Sequence, residues 1–350
     1  MNAPASNVAP SAIVLPAAGV KAAALSCGFS LVGLARAEPL PAAPLQQWLA
    51  AGHAADLHWI ARDVEERLDP GRVVPGARTV IALAIGYRRP QDERSCIARY
   101  ARGRDYHYAH RDRLKKLRKR LLALDPSMRT YSCVDTGKAM EKPWAVRAGL
   151  GWVGKNGCLI HPQLGSWFTL SVMFLNRMVD EYGAPISDQC GTCDKCLRAC
   201  PTQAFAAPGV VDCRKCIAYH SIENQAEVPI EVRAGFRTRA FGCDVCQEVC
   251  PFNRQPLAAS DDPVLAPRPI GLMTPEQLAN LTAEQFAEMA PGTPLPRIGF
   301  HGLRRNAAFA LGASRRGEAR ATLERLASDA EPSVASAAAW ALVRIGPKPP

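Results

Sequence analysis

Most of the thirteen cysteines in this chain crowd into one stretch. The first group runs Cys190-x2-Cys193-x2-Cys196-x3-Cys200-Pro201. The last runs Cys243-x2-Cys246-x3-Cys250-Pro251, with Cys213 and Cys216 between them. Thiolates in this order wrap two [4Fe–4S] clusters: three closely spaced ones hold one cluster, and the cysteine before proline reaches across to the other. A first cluster takes Cys190, Cys193, Cys196 and the distant Cys250. A second takes Cys200, Cys243, Cys246 and one of Cys213 and Cys216. Zinc prefers two separated pairs, commonly with histidine, and disulfides are foreign to a reducing cytosol. The chain therefore reads as one that moves electrons.

A second segment carries acid–base chemistry. Tyr131-Ser-Cys-Val-Asp-Thr-Gly-Lys138 precedes an expected helix from Ala139 to Ala148 and the glycine-rich loop Gly149–Gly157. Asp135, at a strand end before Thr-Gly, is a candidate catalytic carboxyl; the competing reading makes it a helix cap. The glycines do not form a dinucleotide fingerprint, because no strand feeds the loop and the loop opens no helix. Ala98-Arg-Tyr-Ala-Arg-Gly-Arg-Asp-Tyr-His107 mixes arginine, tyrosine, aspartate and histidine around one glycine, as ligand-binding loops do. Tyr106 and His107 stand there as alternative acids to Asp135.

The elements that position these residues are partly legible. Apolar runs at Thr79–Tyr87 and Trp167–Leu175 suit buried strands. Arg111–Leu124 places Leu114, Leu117 and Leu121 at helical spacing and ends at Asp125-Pro126. Its other face carries Arg111, Arg113, Lys115, Lys116, Arg118, Lys119 and Arg120, a solvated face or a surface for phosphates. Near the C-terminus Ala307-Ala-Phe-Ala-Leu311 recurs as Ala338-Ala-Trp-Ala-Leu342, with an amphipathic stretch Glu318–Ser328 between. Small residues with one aromatic per helix suit stacked helix pairs of HEAT type. Arg297, Arg304, Arg305, Arg315 and Arg316 are candidates to line a nucleic-acid face on that array.

Composition sets outer limits. A hydrophobic share of 48% argues against disorder, and a formal net charge of +11 is more than electron carriage requires. A polyanion such as nucleic acid accounts for that excess, as does an ordinary basic surface. Residues 1–18, rich in Ala, Pro and Ser, read as a flexible tail without the charged and apolar regions of a secretory signal. No apolar run reaches the ~20 residues needed to cross a bilayer, so a cytoplasmic protein is expected. The domains expected are 19–180 for the catalytic α/β part, 181–258 for the clusters and 259–350 for the helical array.

Taken together these segments resemble epoxyqueuosine reductases, cobalamin-dependent iron–sulfur enzymes that act on tRNA. The resemblance rests on Glu66-Arg67-Leu-Asp-Pro70, Gly103-Arg-Asp-Tyr-His107, Val134-Asp-Thr-Gly137 and Arg147-Ala-Gly-Leu-Gly151. It rests also on Lys155-Asn156, Gly165-Ser166, both cysteine groups, Arg214-Lys-Cys-Ile217 and Arg305-Asn306-Ala307. It implies an α+β protein: a nitroreductase-like cobalamin-binding domain, a ferredoxin-like module with two [4Fe–4S] clusters, and C-terminal HEAT-like repeats that help hold tRNA. The implied activity is reduction of epoxyqueuosine to queuosine at the wobble position of the anticodon, the last step of queuosine biosynthesis. The implied partners are the tRNA anticodon stem-loop and an external ferredoxin- or flavodoxin-type electron donor, acting on a monomer. Asp135 is then the proton donor, and Cys216 the fourth ligand of the second cluster, leaving Cys213 spare. Arg67, Ala98, Leu159, Leu170 and Ala218 match positions around the corrinoid, with Arg67 offering its charged head to the corrinoid tail. Asn224 departs from the basic, tRNA-contacting residue common at its position. A reductive dehalogenase would share corrinoid and clusters, but the basic charge and helical tail argue against it.

Overall fold

The computed structural model describes residues 14–89, 95–254 and 262–347. Its centre is a four-stranded antiparallel sheet in the order Leu31–Arg36, Thr79–Gly86, Phe168–Leu175, Thr130–Cys133. The two apolar runs read from sequence are the two middle strands. Side chains alternate across a strand, so Ile81, Leu83 and Ile85 face one way and Val80, Ala82 and Ala84 the other. Both faces are covered, which is why these strands read as unbroken hydrophobic runs. The first face packs against the helices Ala17–Leu25 and Tyr106–Leu124 through Val20, Leu114, Leu117 and Leu121. On the second, small Ala82 and Ala84 leave room for Trp144 and Ala145 of the helix Glu141–Arg147.

The expected flexible tail is shorter than 18 residues. Residues 1–13 lie outside the described part, but Val14–Leu15 pairs in parallel with Met178–Val179, and a helix starts at Ala17. The N–H of Ala17 donates to Asp180 at 2.7 Å.

Two short helices, Lys195–Ala199 and Val245–Glu248, carry the cysteine groups. The residue before a proline is pushed out of the helical region. Cys200 (φ −61°, ψ 119°) and Cys250 (φ −67°, ψ 126°) accordingly turn extended and end their local helical turns.

At the C-terminus Gly299–Ala313, Arg320–Leu326 and Pro332–Ile345 form a helical stack. The two repeat motifs face each other: Phe309 and Trp340 meet edge to face at 5.7 Å. A Cβ on Gly312 would lie 2.6 Å from the Cα of Ala341, so that crossing needs glycine. This core does not stop at the stack. It continues through Phe236, Phe241 and Ile217 of the cluster region to Ile97 and Ala101, and Phe236 packs on Phe309 at 5.2 Å. Among the described residues no helix is long and apolar enough to cross a membrane.

Arg304 and Arg305 correct the sequence reading. Both are buried within the stack, 7% and 2% exposed, and cannot line an open nucleic-acid face. The Arg305 guanidinium donates to the carbonyls of His220, Asn224 and Ala226, which follow or end the helix Ile217–Ile222. Asn306 donates to Ser221 and Ala240 carbonyls. Burial lowers the Arg305 guanidinium to about 10, still a cation at neutral pH. Arg304 pairs with Asp329 at 2.7 Å. Asn224 is buried too, its side-chain amide 2.9 Å from His220. Arg297, Arg315 and Arg316 remain exposed.

Candidate active site

The edge strand Thr130–Cys133 delivers Asp135 beyond the end of the sheet. Asp135 has φ +56°, a left-handed conformation that aspartate tolerates better than most residues. The bend is tight: a Cβ on Gly137 would lie 2.1 Å from the Cβ of Cys133. Two side chains tie it down. Tyr131 Oη accepts the Lys138 N–H at 2.9 Å, and Glu141 Oε1 accepts the Asp135 N–H at 2.7 Å. Asp135 is not a helix cap. The following helix begins at Glu141, and its N-cap position, Met140, makes no side-chain capping bond.

The Asp135 side chain, 56% exposed, meets His107 Nε2 at 3.4 Å from Oδ2. His107 follows Asp105, the N-cap of the helix Tyr106–Leu124. Asp105 Oδ1 binds both the backbone N–H of His107 (2.9 Å) and its Nδ1 (2.7 Å). This leaves buried Nε2 aimed at Asp135 with no hydrogen bond closed. Burial opposes charge on His107, but the Asp105 and Asp135 carboxylates overrule it and raise the imidazole to about 9. Loss of bulk water favours the neutral form of Asp135. The neighbouring His107 and Arg297 outweigh it and hold the carboxyl below its ordinary range. A carboxyl raised by burial is found instead at Glu141, pushed up to about 7.

Two adjoining cavities share Asp135, Glu141 and Lys142 in their walls. One, of about 700 Å³, is lined by Leu45, Trp48, Trp59, Ile60 and Arg67. The other, of about 560 Å³, is lined by Tyr100, Tyr106, Leu159, Leu170 and Ala218. Four of the positions matched to the corrinoid thus border this joint space, while Ala98 faces the neighbouring thiol cavity instead. The Arg67 head is already engaged, donating to the carbonyls of Arg62 (3.2 Å) and Trp59 (3.1 Å), so it shapes the wall rather than reaching out. Lys142 Nζ donates to the Gly157 carbonyl at 2.9 Å. Arg297 lies over the Trp59 ring at 5.0 Å and pairs with Glu223 at 2.8 Å, at the rim of this space.

The thiols form two rings. Cys190, Cys193, Cys196 and Cys250 line a cavity of about 250 Å³. Cys200, Cys216, Cys243 and Cys246 line another of about 310 Å³. The extended Cys-Pro turns carry Cys200 and Cys250 each into the other group's ring. All thirteen cysteines are free thiols. Four thiols ringing a cavity, rather than converging on a point, fit a four-iron cube. Cys213 lies outside the ring, against Ala54, Leu57 and Tyr219. Cys158, not singled out from sequence, lines both the second thiol cavity and the cavity of Leu159 and Leu170. Its signal was a cysteine just beyond the glycine loop and outside the ladder. Glu141 and Lys142 were missed because a charged pair opening a helix is ordinarily solvated.

Comparison with known proteins decides the family. A profile described as "Epoxyqueuosine reductase QueG, DUF1730" matches residues 67–136, a 4Fe-4S double cluster binding domain matches 189–253, and HEAT repeats match 300–349. The epoxyqueuosine reductase of Gloeobacter violaceus is 44% identical over 310 residues, covering 85% of this chain and 96% of that one. The chain belongs to the epoxyqueuosine reductase family. It is an oxidoreductase that converts epoxyqueuosine to queuosine in tRNA, with cobalamin and two [4Fe–4S] clusters as cofactors. A crystal structure of epoxyqueuosine reductase with an epoxyqueuosine-modified tRNA-Tyr stem loop superposes with a TM-score of 0.86. It is 31% identical and covers 94% of this chain and 90% of that one. The Bacillus subtilis epoxyqueuosine reductase, solved with its catalytic aspartate loop swung out of the active site, is 29% identical, with a TM-score of 0.84. It covers 94% of this chain and 90% of that one.

Proposed function

We propose that Asp135 is the proton donor to the departing epoxide oxygen of a tRNA anticodon stem-loop, passing on a proton held by its partner His107, in the joint cavity bordered by Leu159, Leu170, Ala218 and Arg67. Converting an epoxide to an alkene takes two electrons and two protons and releases the oxygen as water. Bound cobalamin supplies the two-electron chemistry, and the clusters pass electrons singly. This chain's own residues bind, exclude water and hold the proton. The observation that carries the reading is the shared lining: Cys158, Gly157 and Ala218 border both the second thiol cavity and the cavity of Asp135. An electron path and a proton source meet at one wall.

His107, raised to about 9, holds a proton at neutral pH behind an Asp135 that is itself ionised. Asp105 fixes the ring, and Asp135 is the group open to the cavity. The acid is thus the His107–Asp135 pair, with Asp135 placing the proton. The swung-out loop of the Bacillus subtilis relative supports a mobile Asp135 loop here. The stem-loop bound by another relative supports recognition of the anticodon arm. Flipping the modified base out of a single-stranded loop is inexpensive. Arg297 over Trp59, at the rim, suits a phosphate or a stacked base. Electrons come from an external ferredoxin- or flavodoxin-type donor to a cytoplasmic monomer. The ligand sets are Cys190, Cys193, Cys196, Cys250 and Cys200, Cys216, Cys243, Cys246. The division at residues 19–180, 181–258 and 259–350 belongs to the same reading, with the first unit extended back to Val14 by its pairing with Met178–Val179. Loaded protein incubated with reductant and epoxyqueuosine tRNA should yield nucleosides lighter by one oxygen in mass spectrometry. Unchanged nucleosides would contradict it.

A further inference from the structure

Glu141 has no part in the chemistry above, yet it touches the residue on which that chemistry turns. Its Oε1 lies 2.7 Å from the backbone nitrogen of Asp135. It opens a helix whose Trp144 and Ala145 are fully buried, so it stands on a fixed platform. The segment it holds has little support of its own. Between Val134 and Met140 the main-chain hydrogen bonds reduce to a narrow turn from the Thr136 N–H to the Val134 carbonyl. At its centre Asp135 adopts φ +56°, which a non-glycine residue keeps only where its surroundings impose it. The Asp135 side chain points the other way, toward His107.

We infer that Glu141 is the positioning residue that latches the Asp135 loop into the cavity, its carboxylate accepting the Asp135 backbone N–H. This rests on the reading of Asp135 as proton donor and explains what holds the mobile loop in. Above pH 7, where Glu141 is ionised and where the test is run, a hydrogen bond to its carboxylate is about twice as strong as one between neutral groups. Tyr131 anchors the far end of the loop through the Lys138 N–H. Loss of the Glu141 bond frees only the end that carries Asp135.

The test uses the full chain with clusters and cobalamin bound. Hydrogen exchange of the Asp135 amide and single-turnover reduction of epoxyqueuosine stem-loop are measured in Glu141→Ala and Glu141→Gln. The alanine variant should exchange faster and turn over more slowly, each by roughly tenfold to a hundredfold, the effect of one charge-assisted hydrogen bond. Stem-loop affinity should stay unchanged. Glutamine keeps an acceptor oxygen and should restore both properties to within a few-fold. Wild-type exchange in the alanine variant would overturn the latch. So would a glutamine variant as slow as alanine, which would make Glu141 a proton source. If the alanine variant does not load its cofactors, Glu141→Asp, one methylene too short to reach the Asp135 N–H, replaces it: it should also exchange faster, and wild-type exchange there would overturn the latch. Asp135→Asn keeps the Glu141 bond, so its protection at position 135, corrected for the intrinsic rate, should fall far less than in Glu141→Ala; normal turnover there would sink the donor reading while leaving the latch to be judged on exchange.

Discussion

The thiol rings and the Asp135 loop are held by opposite means. Each ring starts from closely spaced cysteines beside a short helix, a triplet in one and the pair Cys243 and Cys246 in the other, and a Cys-Pro step sends Cys250 and Cys200 across, with Cys216 completing the second ring. The Asp135 loop leans on two side-chain hydrogen bonds, a left-handed residue and one imidazole. Clusters need fixed spacing for electrons to cross. A proton donor must meet a large substrate and then release it, and lightly tied backbone allows that. The difference teaches where to look for rigidity and where for motion.

Breaking the rings should have the largest effects. Cys250→Ala should abolish the cluster of Cys190, Cys193 and Cys196, cutting iron from about eight atoms to about four, read by iron analysis and electron paramagnetic resonance. Cys216→Ser should cost the other cluster, and Cys213→Ser neither. The reverse result would exchange their roles. Next comes Arg305→Glu, which strands three carbonyls and buries an unpaired anion. Stability should fall by at least about 3 kcal/mol in denaturant unfolding, whereas a tRNA-binding role would leave stability untouched. On the loop side, the single-turnover rate should decline as pH rises through about 9, where His107 loses the proton that must be delivered. His107→Gln should remove that limb. A rate flat to pH 10 would exclude His107 as the reservoir. Smallest is Arg297→Glu, which should weaken stem-loop binding by roughly tenfold at low salt and lower the salt slope by about one, with the corrinoid spectrum unchanged.

Spacing was legible from sequence and partnership was not. The cysteine ladder, the two buried strands and the facing repeat helices follow from local pattern, because period and Cys-Pro geometry act within a few residues. Arg304 and Arg305 read as surface charge because their partners are remote in sequence; the carbonyl of His220 lies 85 residues from Arg305. For Asp135, removal from water on its own favours the neutral carboxyl. Its carboxyl is nevertheless held below the ordinary range by His107 on another helix and by Arg297 from the turn ahead of the C-terminal stack. Val14–Ala17 looked like tail because two residues of strand leave almost no periodic signal. Glu141 escaped notice because its partner is a main-chain amide, which no side-chain motif records.

The central claim is that Asp135 places the proton on the departing oxygen. Pre-reduced, cobalamin-loaded Asp135→Asn protein, mixed with epoxyqueuosine stem-loop for a single turnover, tests it most directly. Asparagine keeps the size and the backbone bond to Glu141, so clusters, corrinoid spectrum and stem-loop affinity should survive. Product formation should slow by roughly two to four orders of magnitude, the range for losing a general acid. Near-normal product formation would contradict the claim and pass the role to Tyr106 or to His107 acting alone.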